Sequence, residues 1–287
     1  MTLLKMGIKY LNRYILSKCK KTSIYRTSLQ RFTDKTIVID TYIYLYKYLS
    51  DGNLIENFHK MIQIFKRYRI TPIFIFDGKP PIEKQQLLQQ RREKKKEAEN
   101  KYKEIIDQIE HGLDQSDKLN TQLALLKKQF LKVDQEHIQC IKTILRENNV
   151  QYIDALGESD QLCVEYVRKG RAWGCLTDDM DMFVYGVKNV LRELDLHKET
   201  VMLYIYDRII YDLNLTPKLF RQILVLSGTD YNIDDHVSLH ETIKWYQEYR
   251  KFCIKQNREI DFYDWLCRYT KYIKDYTKLI EVYHLFD

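Results

Sequence analysis

Glycine and proline are scarce, with 9 and 4 residues in a chain of 287, and none of the 6 cysteines forms a C-x-x-C pair. The missing pair argues against structural zinc, which is built on such spacings. Cysteines are then expected as small core residues in a reducing compartment. No window approaches the apolar run of about 20 residues that a membrane helix needs. An apolar signal core is also missing, because Lys5, Lys9, Arg13, Lys18 and Lys20 interrupt the first stretch. An intracellular location, cytoplasm or nucleus, is expected, and a secreted one is not. No Ser/His/Asp or Cys/His constellation offers a protein nucleophile. Internal repeats and low-complexity linkers are lacking as well. With 30% charged and 45% hydrophobic residues, the chain is neither disordered nor fibrous. Its length suits one large or two small domains with a sizeable core.

The charge that is present is uneven. Residues 1–35 hold nine basic side chains against one acid, Asp34, whereas the remainder holds 38 basic and 39 acidic residues. A basic head on a nearly neutral body fits a localised polyanion contact, and it also fits a solvated, lysine-rich face.

Two short apolar runs end in an acid: Thr36–Asp40, and 71–77 with Asp77 at its end. Both read as buried strands. Further strands are expected at 151–153, 172–177, 187–191 and 201–206. Helical spacing appears at 42–48, 54–68, 133–148, 158–169 and 207–226, and the tail from 237 to 287 reads as helical and aromatic. Residues 82–132 are rich in Glu, Lys, Gln and Leu, with a break near His111-Gly112. Their polarity predicts a helical insertion projecting from the body. Strands alternating with helices predict an α/β fold with a mainly parallel sheet flanked by helices.

The chemistry lies in where the acids fall. Asp40 and Asp77 end strands, Glu158 and Asp160 open a helix after a glycine loop, Asp179 and Asp181 follow another strand, and Asp230 follows Gly228. Ligands of open parallel sheets bind outside the carboxyl ends of the strands. Seven acids gathered there repel one another, and a bound cation relieves that repulsion. Oxygen donors without His or Cys favour Mg²⁺ or Mn²⁺ over zinc. Any one of these acids alone reads as a helix cap or turn former. Asp178 is expected to be of that ordinary kind. His236 and His240 are spaced i, i+4, but no third ligand is apparent, and they read as helix-start residues.

These segments resemble the flap endonucleases and their XPG-type 5′ nuclease relatives. Met6-Gly7-Ile8-Lys9-Tyr10-Leu11 is similar to the family's N-terminal signature, and Ile39-Asp40 to its first metal-ligand strand. Phe76-Asp77-Gly78-Lys79-Pro80-Pro81 is close to verbatim for the second. Ala155-Leu156-Gly157-Glu158-Ser159-Asp160-Gln161, Thr177-Asp178-Asp179-Met180-Asp181 and Leu226-Ser227-Gly228-Thr229-Asp230-Tyr231 resemble the remaining acidic motifs. The likeness runs from about residue 6 to 231.

The resemblance implies a PIN-like 5′ nuclease fold, with a nuclease core at 1–231, a helical arch at about 82–132, and a helical C-terminal region at 232–287. It implies a phosphodiesterase using two Mg²⁺ ions, with Mn²⁺ as a substitute. Asp40, Asp77, Glu158 and Asp160 would surround one ion, and Asp179, Asp181 and Asp230 the other. Lys84 and Arg91, two helical turns apart, would contact the scissile phosphate. Gly7, Lys9, Tyr46, Arg92 and Arg192 would bind DNA, Tyr46 by stacking on a terminal base and Arg192 through phosphate. The implied partner is DNA with 5′ flaps, nicks or free 5′ ends, its single strand threading beneath the arch.

Three departures accompany the likeness. Asp160 stands where the family usually has Glu. The glycine-rich hairpin that grips duplex DNA is missing after Asp230, where Asp234 and Asp235 would repel phosphate or, alternatively, hold a cation. Five residues precede Met6. No sliding-clamp motif is recognisable. Two alternatives stay open on sequence: a non-catalytic DNA-binding or assembly protein on a nuclease fold, and an RNA-directed 5′ nuclease, since nothing here reads the 2′-hydroxyl.

Overall fold

The structure, a computed structural model, describes residues 7–111, 116–232 and 237–287. Met6, Gly112 and the Asp234-Asp235-His236 stretch lie outside the described residues. Seven strands form one sheet: β1 (Ile24–Ser28), β2 (Thr36–Asp40), β3 (Thr71–Phe76), β4 (Gln151–Asp154), β5 (Gly174–Leu176), β6 (Asn189–Asp195) and β7 (Thr200–Ile205). Their order is β1-β7-β6-β5-β2-β3-β4. The five strands from β6 to β4 are parallel, and β7 runs antiparallel to both β6 and β1. The expected mainly parallel α/β sheet is therefore present.

Alternation along the central strands builds two cores. Val38, Ile73 and Ile75 face one layer, while Ile37, Ile39, Phe74 and Phe76 face the other. Near-continuous apolar runs such as 73–76 are what a parallel sheet covered on both faces requires. The first layer holds α1 (Leu11–Lys18), and the second holds α2 (Thr41–Ser50) and α3 (Leu54–Arg67). Phe58, Phe65 and Phe74 are fully buried in that second layer. Each such side chain stabilises the fold by about 1.5–3 kcal/mol.

The insertion is a pair of helices, α4 (Gln85–Glu110) and α5 (Asp117–Phe130). They pack mainly on each other, burying Ala98 and Leu126 and setting Tyr102 against Phe130 at 5.4 Å between ring centroids. Body structure resumes at α6 (Gln135–Glu147), where Asp134 accepts a hydrogen bond from the His137 amide at 2.9 Å as its N-cap. α7 (Ser159–Arg168), α8 (Tyr206–Leu213) and α9 (Pro217–Leu226) complete the first layer. α10 (Leu239–Gln256), α11 (Phe262–Tyr269) and α12 (Tyr276–His284) share its core through Leu239, Phe262, Trp265 and Leu279.

Two local expectations differ from the structure. Strand β1 falls in the basic segment, where no strand is expected from sequence. Only Ile24 of its five residues is buried, so the apolar signal is weak, and pairing with β7 supplies the order. The helix expected across 207–226 is two helices. Asn214 adopts φ 52°, and Pro217 opens the next helix behind the Thr216 cap.

Candidate active site at the carboxyl edge of the sheet

The carboxyl ends of β2, β3, β4 and β5 bring the acids to one edge. Asp40 is the last residue of β2, and Asp77 directly follows β3. The loop after β4 leads to Glu158 and to Asp160 in the first turn of α7. Asp179 and Asp181 lie in the turn after β5, and Asp230 lies beyond α9. All of them except Asp181 line a cleft of about 840 Å³. Asp40, Asp77, Glu158, Asp160, Asp179 and Asp230 line it together with the basic residues Lys84, Arg91, Arg92, Lys95 and Lys132.

Short polar contacts hold the acids in place. Asp40 accepts hydrogen bonds from the Ser159 and Thr177 hydroxyls, each at 3.1 Å. Asp77 accepts from the Ser159 amide at 2.7 Å, and Asp179 accepts from the Asp181 amide at 2.9 Å. The Asp160 and Asp181 Oδ1 atoms are buried with no hydrogen-bond partner. Gly7 has φ +72°, and a Cβ there would stand 2.7 Å from Asp181 Oδ1 and 2.8 Å from Asp179 Oδ1. Only glycine permits so close an approach in that conformation. Gly78 serves the same end, because its Cβ would meet the Ala155 carbonyl oxygen at 2.1 Å. Its amide instead donates to the Gly157 carbonyl at 2.7 Å, pinning the loop after β3 to the loop after β4.

The basic residues face these acids. Lys84 Nζ lies 2.7 Å from Glu158 and 3.8 Å from Asp230, and Arg91 lies 3.0 Å from Asp230. Burial lowers the Lys84 pKa, but Glu158 and Asp230 more than offset this and hold it above its ordinary value. Tyr46 lines the cleft with the Lys95 ammonium 5.1 Å from its ring centroid. Arg92 is exposed on the cleft wall, and Lys9 is exposed ahead of α1. Arg192 is placed differently from the phosphate contact that the resemblance implies. It is 8% exposed, donates to the Asp178 carbonyl at 2.8 Å, and lies 5.5 Å from the centroid of Tyr204. That puts it beneath the acidic turn, closed off from a passing strand. Asp178 is a turn former, its carboxylate accepting from the Glu193 amide at 2.8 Å.

Electrostatically the acids are strained by their own proximity. Burial, then Asp77 and Asp179, push the Asp40 pKa up to about 8. Burial and Asp230 push Asp179 up to about 6. Burial, reinforced by neighbouring carboxylates, holds Asp160 and Asp181 well above the usual range, and burial raises Asp77. A chelated sample is therefore expected to lose thermal stability as pH rises from about 4 to 8. The folded chain binds more protons than an unfolded chain whose Asp residues titrate near about 3.9, so the slope is negative. Lowered carboxyls such as Asp212 act with the opposite sign, only below the ordinary Asp range. Unfolding midpoints followed by circular dichroism at stepped pH in EDTA check this, and a midpoint that climbs across the window contradicts it.

Three residues without an assigned role in the sequence reading support the site: Ser159, Thr177 and Tyr231. Each is the immediate neighbour of an acid within its motif, which is the signal that marks them. Tyr231 donates to Glu158 Oε2 at 2.8 Å. Among the described residues, no three His, Cys, Asp or Glu side chains close into a ready-made ion cage.

Comparison with known proteins bears on this arrangement. The XPG N-terminal domain matches residues 6–98, and the XPG I-region matches residues 149–230. Flap endonuclease 1 of Salmo salar is 28% identical over 245 residues, covering 79% of this chain and 62% of that protein. The chain thus spans about three fifths of the length of that curated relative. The catalytic core of Rad2 in complex with DNA substrate superposes with a TM-score of 0.63 at 21% identity, covering 98% of this chain and 86% of that one. Holliday junction-resolving GEN1, in complex with product DNA and Mg²⁺, gives a TM-score of 0.57 at 16% identity, covering 98% and 64%. These structures share the fold. With its matched segments carrying all seven edge carboxylates, the chain belongs to the XPG-type nuclease family, which includes the flap endonucleases.

Proposed function

We propose that the chain is a divalent-metal-dependent 5′ nuclease that cleaves flapped or nicked DNA during replication, repair or recombination. The convergence of six carboxylates from four strand ends, and of Asp230 from beyond α9, on Lys84 and Arg91 carries this reading. The relatives named as flap endonucleases, and the GEN1 structure with product DNA and Mg²⁺, support it.

The donor set fits a hard cation. All donors are oxygens, two of them buried without a partner, and several acids are held at raised pKa by burial and, behind it, mutual repulsion. Asp40, Asp77, Glu158 and Asp160 are assigned to one ion, and Asp179, Asp181 and Asp230 to a second. When bound, such ions supply Lewis-acid polarisation of phosphoryl oxygens and acidify water. The chain's own side chains do the rest. Lys84 and Arg91 stand where a phosphate entering the cleft exchanges their carboxylate partners for its own oxygens. Preorganised charge of this kind stabilises the developing transition state. Tyr46 offers a ring face on the cleft wall for base stacking, worth about 1–3 kcal/mol. The α4–α5 hairpin supplies a basic wall, from Arg91 to Lys96, along which a single strand runs.

Matched substrates test the proposal: a 5′-flap DNA, a nicked duplex, a blunt duplex and an RNA of the flap sequence. Cleavage of the flapped and nicked DNA in Mg²⁺, its retention in Mn²⁺ and its loss in EDTA are expected. Undiminished cleavage in EDTA sinks the metal reading, and preferential cleavage of RNA replaces the DNA reading.

A further inference from the structure

Phe286 lies beyond every motif, yet it is completely buried beside the site. Its ring centroid is 4.7 Å from that of Tyr185 and 5.5 Å from that of Tyr231, the latter pair edge-to-face at 87°. Tyr185 and Tyr231 thus pack against the same Phe286 ring. Tyr231 in turn donates to one oxygen of Glu158, whose other oxygen takes the Lys84 ammonium at 2.7 Å. That ammonium also sits 4.6 Å from the Tyr231 ring centroid. Glu158 and Lys84 therefore both contact the Tyr231 side chain, one at its hydroxyl and one over its ring, and Phe286 packs against that ring.

The backbone around Phe286 is tied to the same elements. Arg168, in the last turn of α7, donates to the Tyr185 carbonyl at 2.7 Å and to the Phe286 carbonyl at 3.2 Å. Glu158 is the N-cap of that helix, so both of its ends answer to this contact. Arg221 of α9, the helix that leads to Asp230, donates to the Val184 carbonyl at 3.2 Å and pairs with Asp287.

We propose that Phe286, acting through the Tyr185–Tyr231 pair, is a positioning residue that sets Glu158 and Lys84 for the cleavage reaction. This inference rests on the nuclease reading. The physical reason is geometric. Glu158 makes no side-chain cap hydrogen bond, so among the described residues Tyr231 and Lys84 define where its carboxylate points. Removing the Phe286 ring frees Tyr231 to swing about its χ1 bond, and a misplacement of about 1 Å is worth as much as 10²-fold in rate.

The test uses the full chain as wild type, Phe286→Ala, Phe286→Leu and Tyr231→Phe. Single-turnover cleavage of flap DNA in Mg²⁺, flap affinity in Ca²⁺, Mn²⁺ affinity by calorimetry without DNA, and the thermal midpoint are measured for each. Phe286→Ala is expected to slow cleavage by about 10–30-fold and Tyr231→Phe by about 10-fold. Flap affinity stays within about twofold, because the loss belongs to the chemical step. Phe286→Leu recovers most of the rate, and Mn²⁺ affinity weakens in the two slow variants. Folded variants with wild-type rate and wild-type Mn²⁺ affinity overturn the inference. So does a rate loss that disappears on cooling in step with the thermal midpoint, since Phe286 is then only core filling. If Phe286→Ala does not fold, the near-isosteric Tyr231→Phe decides on the same criteria. An inactive wild type whose Mn²⁺ affinity still depends on Tyr231 overturns the nuclease reading and upholds the positioning role. An active wild type with insensitive variants overturns the positioning role alone.

Discussion

Asp181→Asn is expected to lower the rate of flap cleavage by about 10³-fold, as removal of one preorganised electrostatic group does, while raising the thermal midpoint measured in EDTA. The opposed signs follow from one cause. Asp181 is 4% exposed, its Oδ1 has no hydrogen-bond partner, and Asp179 and Asp230 both push its pKa up behind the effect of burial. Folding thus gathers charge that nothing in the protein fully compensates. Asparagine keeps the shape, removes the charge and relieves the repulsion, so the fold gains what the cation site loses. Flap affinity in Ca²⁺ falls only modestly, since the groups that grip the strand are untouched. Single-turnover kinetics and a thermal scan check both halves. Activity within tenfold of wild type removes Asp181 from the cation site, and a lowered midpoint refutes the strain argument.

Lys84→Met is expected to reverse the stability sign and keep the activity sign. Lys84 is 7% exposed and carries the only charge within 3 Å of Glu158 among the described residues. Breaking a buried ion pair from one side costs about 3–5 kcal/mol, because the abandoned partner stays buried. Here the low end applies, since Arg91 still faces Asp230 and Glu158 keeps its Tyr231 hydrogen bond. The turnover number is expected to fall by about 10²-fold, with KM changed little, because the ammonium acts on charge that develops in the transition state. A large rise in KM at constant turnover instead assigns Lys84 to ground-state binding. Together the two variants separate acids that strain the fold from a base that relieves them.

Much of this arrangement is legible from residues alone, for identifiable reasons. Asp40 and Asp77 are marked by the apolar strands that end on them, and the parallel sheet brings such ends to one edge. Lys84 and Arg91 are marked only by the family resemblance, because the basic residues around them give the same composition signal, and Lys84 sits in the turn that caps α4 rather than within the helix. What is not legible depends on contacts between distant segments. Strand β1 has one buried residue and owes its form to β7. Arg192 looks like a surface base by its chemistry, and only the Tyr204 ring and the Asp178 carbonyl show it to be enclosed. Phe286 carries no local signal at all. Its placement arises from Arg168, Tyr185 and Tyr231, which meet it from segments distant in sequence.

The pairing of β1 with β7 bears on how the molecule is made. Ile24 meets Tyr204, and every rung between the two strands joins the first tenth of the chain to a segment beyond its midpoint. Contacts so distant in sequence form slowly, because a long loop has to be ordered before they reward it. During synthesis the basic N-terminal segment is expected to wait, unpaired, while the parallel strands and the α4–α5 hairpin emerge. Until β1 pairs with it, β7 presents an open edge, the kind of edge that invites pairing with another chain. Arg26, exposed on β1 and ion-paired with Glu193 of β6 once the sheet closes, keeps a charge on this late-forming flank.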